Sequence, residues 1–210
     1  MGSMTAKAFQ QVETKSAHFQ VYEILKRAIL AGYFRPGEQV TIRGLAAQMG
    51  TSEMPVREAI KRLVAQKAIE ATSNRQFRIP VLTSQQIMDV LELRLLLEGL
   101  ATEQAATNLT AEQLERIEGI HDEMGAAIKA HDAQGMLEAN IRFHFYIYDR
   151  CTNQSLPALI ESLWLQYSPT LTEYTPRIIN HLSKEDLILS GFIWLEEHRP
   201  WKMEDIFVWE

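Results

Sequence analysis

From residue 84 to residue 188 the sequence holds no segment that alternates apolar and polar residues in the manner of a strand. Its apolar residues recur instead at spacings of three and four, the period of a helix with a buried face. A chain with half its length of this kind cannot close a large sheet; it must bury its stripes helix against helix. Ser84 caps the first segment, SQQIMDVLELRLLLEGLATEQAATNL, with apolar Ile87, Val90, Leu91, Leu95, Leu97 and Leu100. Thr110-Ala-Glu-Gln113 has the form of a capping box and opens a second helix, to about His131. Asp132 caps a third, to about Cys151, and a fourth covers Gln154 to Tyr167 with Pro157 in its first turn. The short connections favour antiparallel neighbours.

The first 81 residues are punctuated differently. His18 to Leu30 is helical by period, with Phe19, Val21, Ile24, Leu25, Ala28 and Ile29 apolar, and Gly32 ends it. Arg35-Pro36-Gly37-Glu38 has the chemistry of a type II turn. Val40 closes a very short strand. Thr41 caps a second helix, Ile42 to Met49, and Gly50 stops it. Ser52 caps a third, to about Gln66. In that third helix Val56, Ala59, Ile60 and Leu63 form the inward stripe, while Arg57, Lys61 and Arg62 project away. Ala68–Ala71 and Gln76–Val81 read as two short strands about a turn at Thr72–Arg75. Three helices and a two-stranded ribbon make the winged helix-turn-helix layout, in which the third helix enters a DNA groove. The expected fold is mainly α: a disordered segment at 1–17, a winged helix-turn-helix at 18–81, a linker at Pro80–Thr83, and an all-α antiparallel helical bundle at 84–210.

Charge supports two functions on one chain. The net charge is −6, yet residues 1–80 carry twelve Lys and Arg against six Asp and Glu, a net of +6, and the remainder carries −12. A basic first part suits a polyanion. No apolar run approaches the roughly 18 residues of a membrane span. The N-terminus lacks a secretory core. The single Cys151 fits a reducing, cytoplasmic setting and reads as a small core residue. His121 and His131 lie in charged stretches and read as solvated. There is no H-E-x-x-H, P-loop or G-x-S-x-G, so the chain is not expected to be an enzyme; a metal-assisted hydrolase at His144 is the competing reading from that class.

Three runs in order, ILAGYFRPGEQV from Ile29, LAAQMGTS from Leu45 and PVREAIKRL from Pro55, resemble the DNA-binding domain of the GntR family of bacterial transcription regulators. The resemblance implies binding to double-stranded operator DNA through Arg43, through Ser52, Glu53, Met54 and Pro55 at the opening of the third helix, and through Arg57. It places the wing tip at Asn74, Arg75 and Gln76. Two residues depart from the family pattern. Ser52 is followed by Glu53 rather than Arg, and Gln76 stands where the wing usually has Gly. A carboxylate repels phosphate but can accept from cytosine N4, so Glu53 bears on which sequence is read. For Arg57 the competing role is an exposed ion pair with Glu53 four residues earlier.

In the second part LRLLLE from Leu93, NIRFH from Asn140 and NQSL from Asn153 resemble the FCD ligand-binding domain of FadR-type members. The resemblance implies a small organic-acid effector, met by Arg94, and a divalent metal (zinc, nickel or manganese) held by Asn140, His144 and a later histidine, His198. Residues i and i+4 share a helix face, so the positions of Asn140 and His144 suit one cation. Asn in place of the family's Asp offers only a neutral carbonyl. For Arg94 the competing role is a pair with Glu98. The sequence after about residue 188, LILSGFIWLEEHRPWKMEDIFVWE in its setting, departs from the family and reads as truncated, divergent or frame-shifted. It leaves open a second reading, a DNA-binding homodimer whose helical part no longer senses. Homodimers are expected in either case, with an effector acting through the 80–83 linker.

Overall fold

The computed structural model describes residues 17–72 and 76–179. Helix α1 (Ala17–Leu30) ends as its sequence demands. Gly32 has φ +73, and the amides of Gly32 and Tyr33 donate to Ile29 and Ala28 carbonyls, which closes a Schellman turn. The Arg35–Glu38 turn follows, with Gly37 at φ +78 and Glu38 N–H donating to Arg35 O at 3.0 Å. It delivers strand β1 (Gln39–Val40) to the sheet. Thr41 then caps helix α2 (Ile42–Gln48) by accepting from Gly44 N–H at 3.1 Å. Helix α3 (Glu53–Ala65) buries Val56, Ala59, Ile60 and Leu63, the inward stripe its spacing predicts. Ser52 occupies the cap position, but its side chain makes no cap hydrogen bond.

The expected two-stranded ribbon is a three-stranded antiparallel sheet. Strand β3 (Phe77–Arg78) lies between β1 and β2 (Glu70–Ala71), with Gln39 and Glu70 both opposite Arg78. Gly37 and Ile79 extend the ladder, Gly37 N–H donating to Ile79 O and Ile79 N–H to Glu38 O, each at 2.9 Å. Two-residue strands leave almost no alternation to read. The strands are also shorter than 68–71 and 76–81, because Ala68, Ile69 and Ile79 are spent on the core.

Helix α4 (Ser84–Ala106) begins with a correction. Its cap is Thr83, not Ser84: Thr83 Oγ1 accepts from Gln86 N–H, and Gln86 Oε1 accepts from Thr83 N–H at 2.9 Å. The capping box of Thr110 and Gln113 opens helix α5 (Ala111–Lys129) as expected, and Asp132 caps helix α6 (Ala133–Tyr148) through Gly135 N–H at 2.9 Å. Helix α7 (Leu156–Ile179) runs well past Tyr167. Ser168-Pro169 reads as a stop, since proline disfavours helix before it and removes an amide. Burial of Ile160, Trp164 and Leu165, each no more than 1% exposed, holds the helix through it.

The chain divides into two compact units that are not sequential halves. The first joins residues up to Leu93 with Ile160–Thr172; the second comprises Arg94–Leu159 and the chain from Glu173. The 80–83 linker therefore lies inside the first unit, and helices α4 and α7 run through both.

Lys67 (φ 59) and His131 (φ 54) end α3 and α5 in the left-handed region without being glycine. A Cβ there costs on the order of 1–2 kcal/mol. His131→Gly is expected to raise stability by about 0.5–1 kcal/mol, part of the relief being lost to glycine's backbone entropy. The urea midpoint checks it; a lower midpoint would show that the His131 side chain holds the turn.

Candidate DNA interface and sensing cluster

The basic winged helix presents its predicted contacts outward. Arg43, on the first turn of α2, is exposed, as are Ser52, Glu53, Met54 and Arg57 at the start of α3. Pro55 is half-buried beneath them. Met54 is 66% exposed, a large apolar side chain turned mostly to solvent. Arg57 and Glu53 form the i,i+4 pair at 3.6 Å, both about half exposed. Such a pair is worth a fraction of a kcal/mol and releases easily. The other two basic residues of the helix behave differently. Lys61 pairs with Glu58 at 2.7 Å. Arg62 projects away from the stripe and is exposed, but its guanidinium lies over the Tyr22 ring, 3.7 Å from the centroid, and so also packs on its own domain.

Gln76 closes the base of the wing. Its carbonyl accepts from Thr72 N–H at 2.8 Å and from the Thr72 hydroxyl at 3.2 Å, and its side chain is exposed. The wing strands are cross-linked by an Arg78–Glu70 ion pair. Asn74 and Arg75 lie outside the described residues.

In the second unit four polar side chains join into one chain of hydrogen bonds. Arg94 Nε and Nη2 donate to the two oxygens of Glu98 at 2.5 and 3.4 Å. Tyr148 donates its hydroxyl proton to Glu98 Oε2 at 2.6 Å. That hydroxyl also lies 3.0 Å from His144 Nδ1. A phenol has one proton, and here it is given to the carboxylate. It therefore accepts from His144, which must carry its proton on Nδ1, leaving the acceptor lone pair on Nε2. Arg94 and Glu98 share one face of α4, and His144 and Tyr148 share one face of α6, each pair four residues apart.

The cluster's electrostatics follow from its enclosure. His144 keeps some exposed surface, yet burial pushes its pKa down to about 4, with the Glu98 charge opposing and the Arg94 charge adding to the fall. It is neutral at pH 7. Burial would raise the Glu98 carboxyl, but Arg94, His144 and Tyr148 outweigh it and hold it below the usual range. Burial, then the neighbouring Glu98 charge, drive Tyr148 well above the ordinary phenol value.

A neutral imidazole with its lone pair on Nε2 suits a metal. Asn140 is half-buried one turn before it on α6. However, among the described residues no three His, Cys, Asp or Glu side chains gather to hold a metal. Asn140 and His144 do not make a metal centre by themselves, and His198, with the tail after residue 188, lies outside the described residues.

His121 is a correction: it is half-buried, not solvated, with its ring 6.3 Å from that of Phe143. His131 is exposed. Cys151 is buried, its thiol donating to Asn153 O at 3.2 Å, and burial pushes its pKa up, away from the thiolate a nucleophile needs. Tyr148 was not among the residues the sequence singled out, and Glu98 appeared there only as a partner for Arg94. Their i+4 spacing from His144 and Arg94 was the available signal.

Two comparisons with protein families match separate stretches. Residues 18–79 match "Bacterial regulatory proteins, gntR family", and residues 89–186 match the FCD domain. The chain is 30% identical over 182 residues to the HTH-type transcriptional regulator McbR of Escherichia coli K12, covering 84% of this chain and 82% of McbR. It is 31% identical over 134 residues to the Nta operon transcriptional regulator of Aminobacter aminovorans, 62% of each. The solved structure of E. coli McbR superposes with a TM-score of 0.73 at 28% identity, over 83% of this chain and 80% of that one. No helix of the described residues is long and apolar enough to cross a membrane.

Proposed function

Because the chain belongs to the GntR family of bacterial regulatory proteins, with an FCD domain behind its winged helix, and is thus a DNA-binding transcription regulator and not an enzyme, we propose that it answers to a small carboxylate received at Arg94. The observation that supports this reading is the Arg94–Glu98–Tyr148–His144 chain. Glu98 already fills the guanidinium with a carboxylate, the group an organic acid would offer. An effector carboxylate exchanges for Glu98 at Arg94, and Glu98 then keeps its bond from Tyr148. The exchange can move the DNA-binding state only if the effector prefers one arrangement of the chain.

A metal is not required by this reading, and the described residues do not complete a ligand set for one. Two measurements separate the possibilities. In calorimetric titration with a panel of C2–C6 mono- and dicarboxylates, Arg94→Gln is expected to bind about tenfold more weakly than wild type, the worth of one charge-assisted hydrogen bond. Equal binding would remove Arg94 as the receiver. Metal analysis of the purified protein is the second: a stoichiometric metal that His144→Ala loses would make metal the receiver instead.

The regulator acts as a homodimer in the cytoplasm, where its operator is. Helix α4 supports the dimer: Leu93, Leu96 and Leu100, spaced by three and four, are 49%, 65% and 42% exposed along one side of a helix whose Val90, Ala101 and Ala105 are buried. A helix apolar on two sides needs two partners, and helix-turn-helix dimers match two-fold operators. Sedimentation as a monomer at micromolar concentration would sink this part.

A further inference from the structure

Lys26 lies on α1 of the winged helix, and Glu161 lies on α7, 135 residues later in the chain; both are in the first compact unit. Lys26 Nζ stands 2.9 Å from Glu161 Oε2 and 3.0 Å from Glu23 Oε2. Its side chain is only 13% exposed and the carboxylates about a quarter exposed, far more covered than the Arg57–Glu53 or Lys61–Glu58 pairs. The ammonium is also 5.6 Å from the centroid of the Tyr22 ring. Tyr22 is itself fixed: it is buried, Arg62 of α3 covers its ring, and its hydroxyl donates to Gln66 Oε1 at 3.0 Å. Burial alone would lower the Lys26 pKa, but the bonds to Glu161 and Glu23 outweigh it and raise it, so the lysine stays charged.

The same unit contains a cleft of about 640 Å³, lined by Val64 in the last turn of α3 and Ile69 just beyond that helix, by Leu82 of the linker, by Leu93 of α4 and by Leu163 and Gln166 of α7. Along that side an open cleft lies between the winged helix, α4 and α7, and side chains that face each other across it make no direct contact there. The tie at Lys26 adds a directional contact to the apolar burial of Ile160, Trp164 and Leu165 on the same helix as Glu161.

The geometry points to Lys26 and Glu161 as a latch that fixes the winged helix on α7 and so sets the operator affinity of the whole protein. Its physical role is preorganisation. A winged helix held at one angle loses less freedom when its recognition helix seats in a groove, and the difference appears as affinity. The latch is independent of what the sensing cluster binds. It rests only on DNA binding.

Glu161→Gln separates this role from simple charge. Removing a negative charge from a DNA-binding protein ordinarily tightens binding to a polyanion; loss of the latch weakens it. The probe is a duplex enriched from a randomised pool by the wild-type protein, with affinity read by fluorescence anisotropy at fixed salt. Glu161→Gln is expected to bind about five- to tenfold more weakly and to exchange the amide hydrogens of α1 faster. The swap Lys26→Glu with Glu161→Lys, made with Glu23→Gln so that the new carboxylate does not face Glu23, is expected to restore α1 protection, which neither single reversal does. Unchanged or tighter DNA binding by a folded Glu161→Gln would overturn the proposal, as would α1 exchange equal to wild type. Should Glu161→Gln fail to fold, the swap decides: a folded swap that leaves α1 unprotected overturns the latch. A wild type that enriches no duplex would instead count against operator binding itself, and the exchange measurement would still judge the latch.

Discussion

Alanine in place of Arg57 is expected to weaken binding to the selected operator by about 1–3 kcal/mol and to flatten the base preference at one position. The side chain is exposed on the flank of α3 beside the buried stripe, one turn from Glu53. It forms an ion pair with Glu53 at 3.6 Å. A half-exposed pair of this length holds the guanidinium too weakly to compete with a guanine edge, which takes two of its donors at once. The alternative is a phosphate contact. It would weaken all duplexes alike and lower the salt slope by about one without altering base preference. Glu53→Gln supplies the companion measurement: if Glu53 accepts from cytosine N4, the amide relaxes that position while affinity for unrelated duplexes rises. An Arg57→Ala protein with unchanged affinity and preference would leave Arg57 as a surface ion-pair residue.

The second large effect is one of pH. Between pH 6.5 and about 4 the folded chain is expected to lose on the order of 3 kcal/mol that His144→Gln retains. The unfolded chain protonates this histidine near the ordinary value of about 6.5. The folded chain resists until about 4, because burial, aided by the Arg94 charge and opposed by Glu98, disfavours the imidazolium. Its folded pKa is the lower one. The contribution is therefore complete above 6.5 and disappears as pH falls towards 4. Glu98 titrates in a separate window: its carboxyl is held below its normal range, so its contribution is lost only below about 4.3, the value for an unfolded glutamate. Urea midpoints at pH 7, 6, 5 and 4.5 for wild type and His144→Gln measure the difference. Parallel curves would mean that His144 is not held neutral in the fold.

Much of the winged helix was legible because its signals are local. Gly32 and Gly50 sit at positive φ where each helix must turn, and Thr41 caps where its oxygen reaches an amide three residues on. The stripe of Val56, Ala59, Ile60 and Leu63 needs only a period of 3.6. What was misread depends on distance or on competition. The β1–β3 pairing joins residues almost forty positions apart through two-residue strands. Thr83 and Ser84 are both good caps, and Gln86 decides for Thr83 by returning the bond. Pro169 carries a local stop signal that the burial of Trp164 and Leu165 overrides. At the sensing cluster the pairs within each helix could be read from i+4 spacing. The bond from Tyr148 to Glu98, which connects the helices, could not.

Helix α7 returns residues 160–172 to the unit that holds the winged helix, and this bears on how such a chain can be cut and recombined. The usual unit of exchange between regulators would be a segment ending at the linker. Here a graft of residues 17–83 onto another sensor would arrive without Glu161 for Lys26. The recipient would have to supply an acidic position at that register. Substitutions on α1 and α7 should accordingly be inherited together, and chimeras built at residue 83 will be most soluble when residues 160–172 travel with the winged helix.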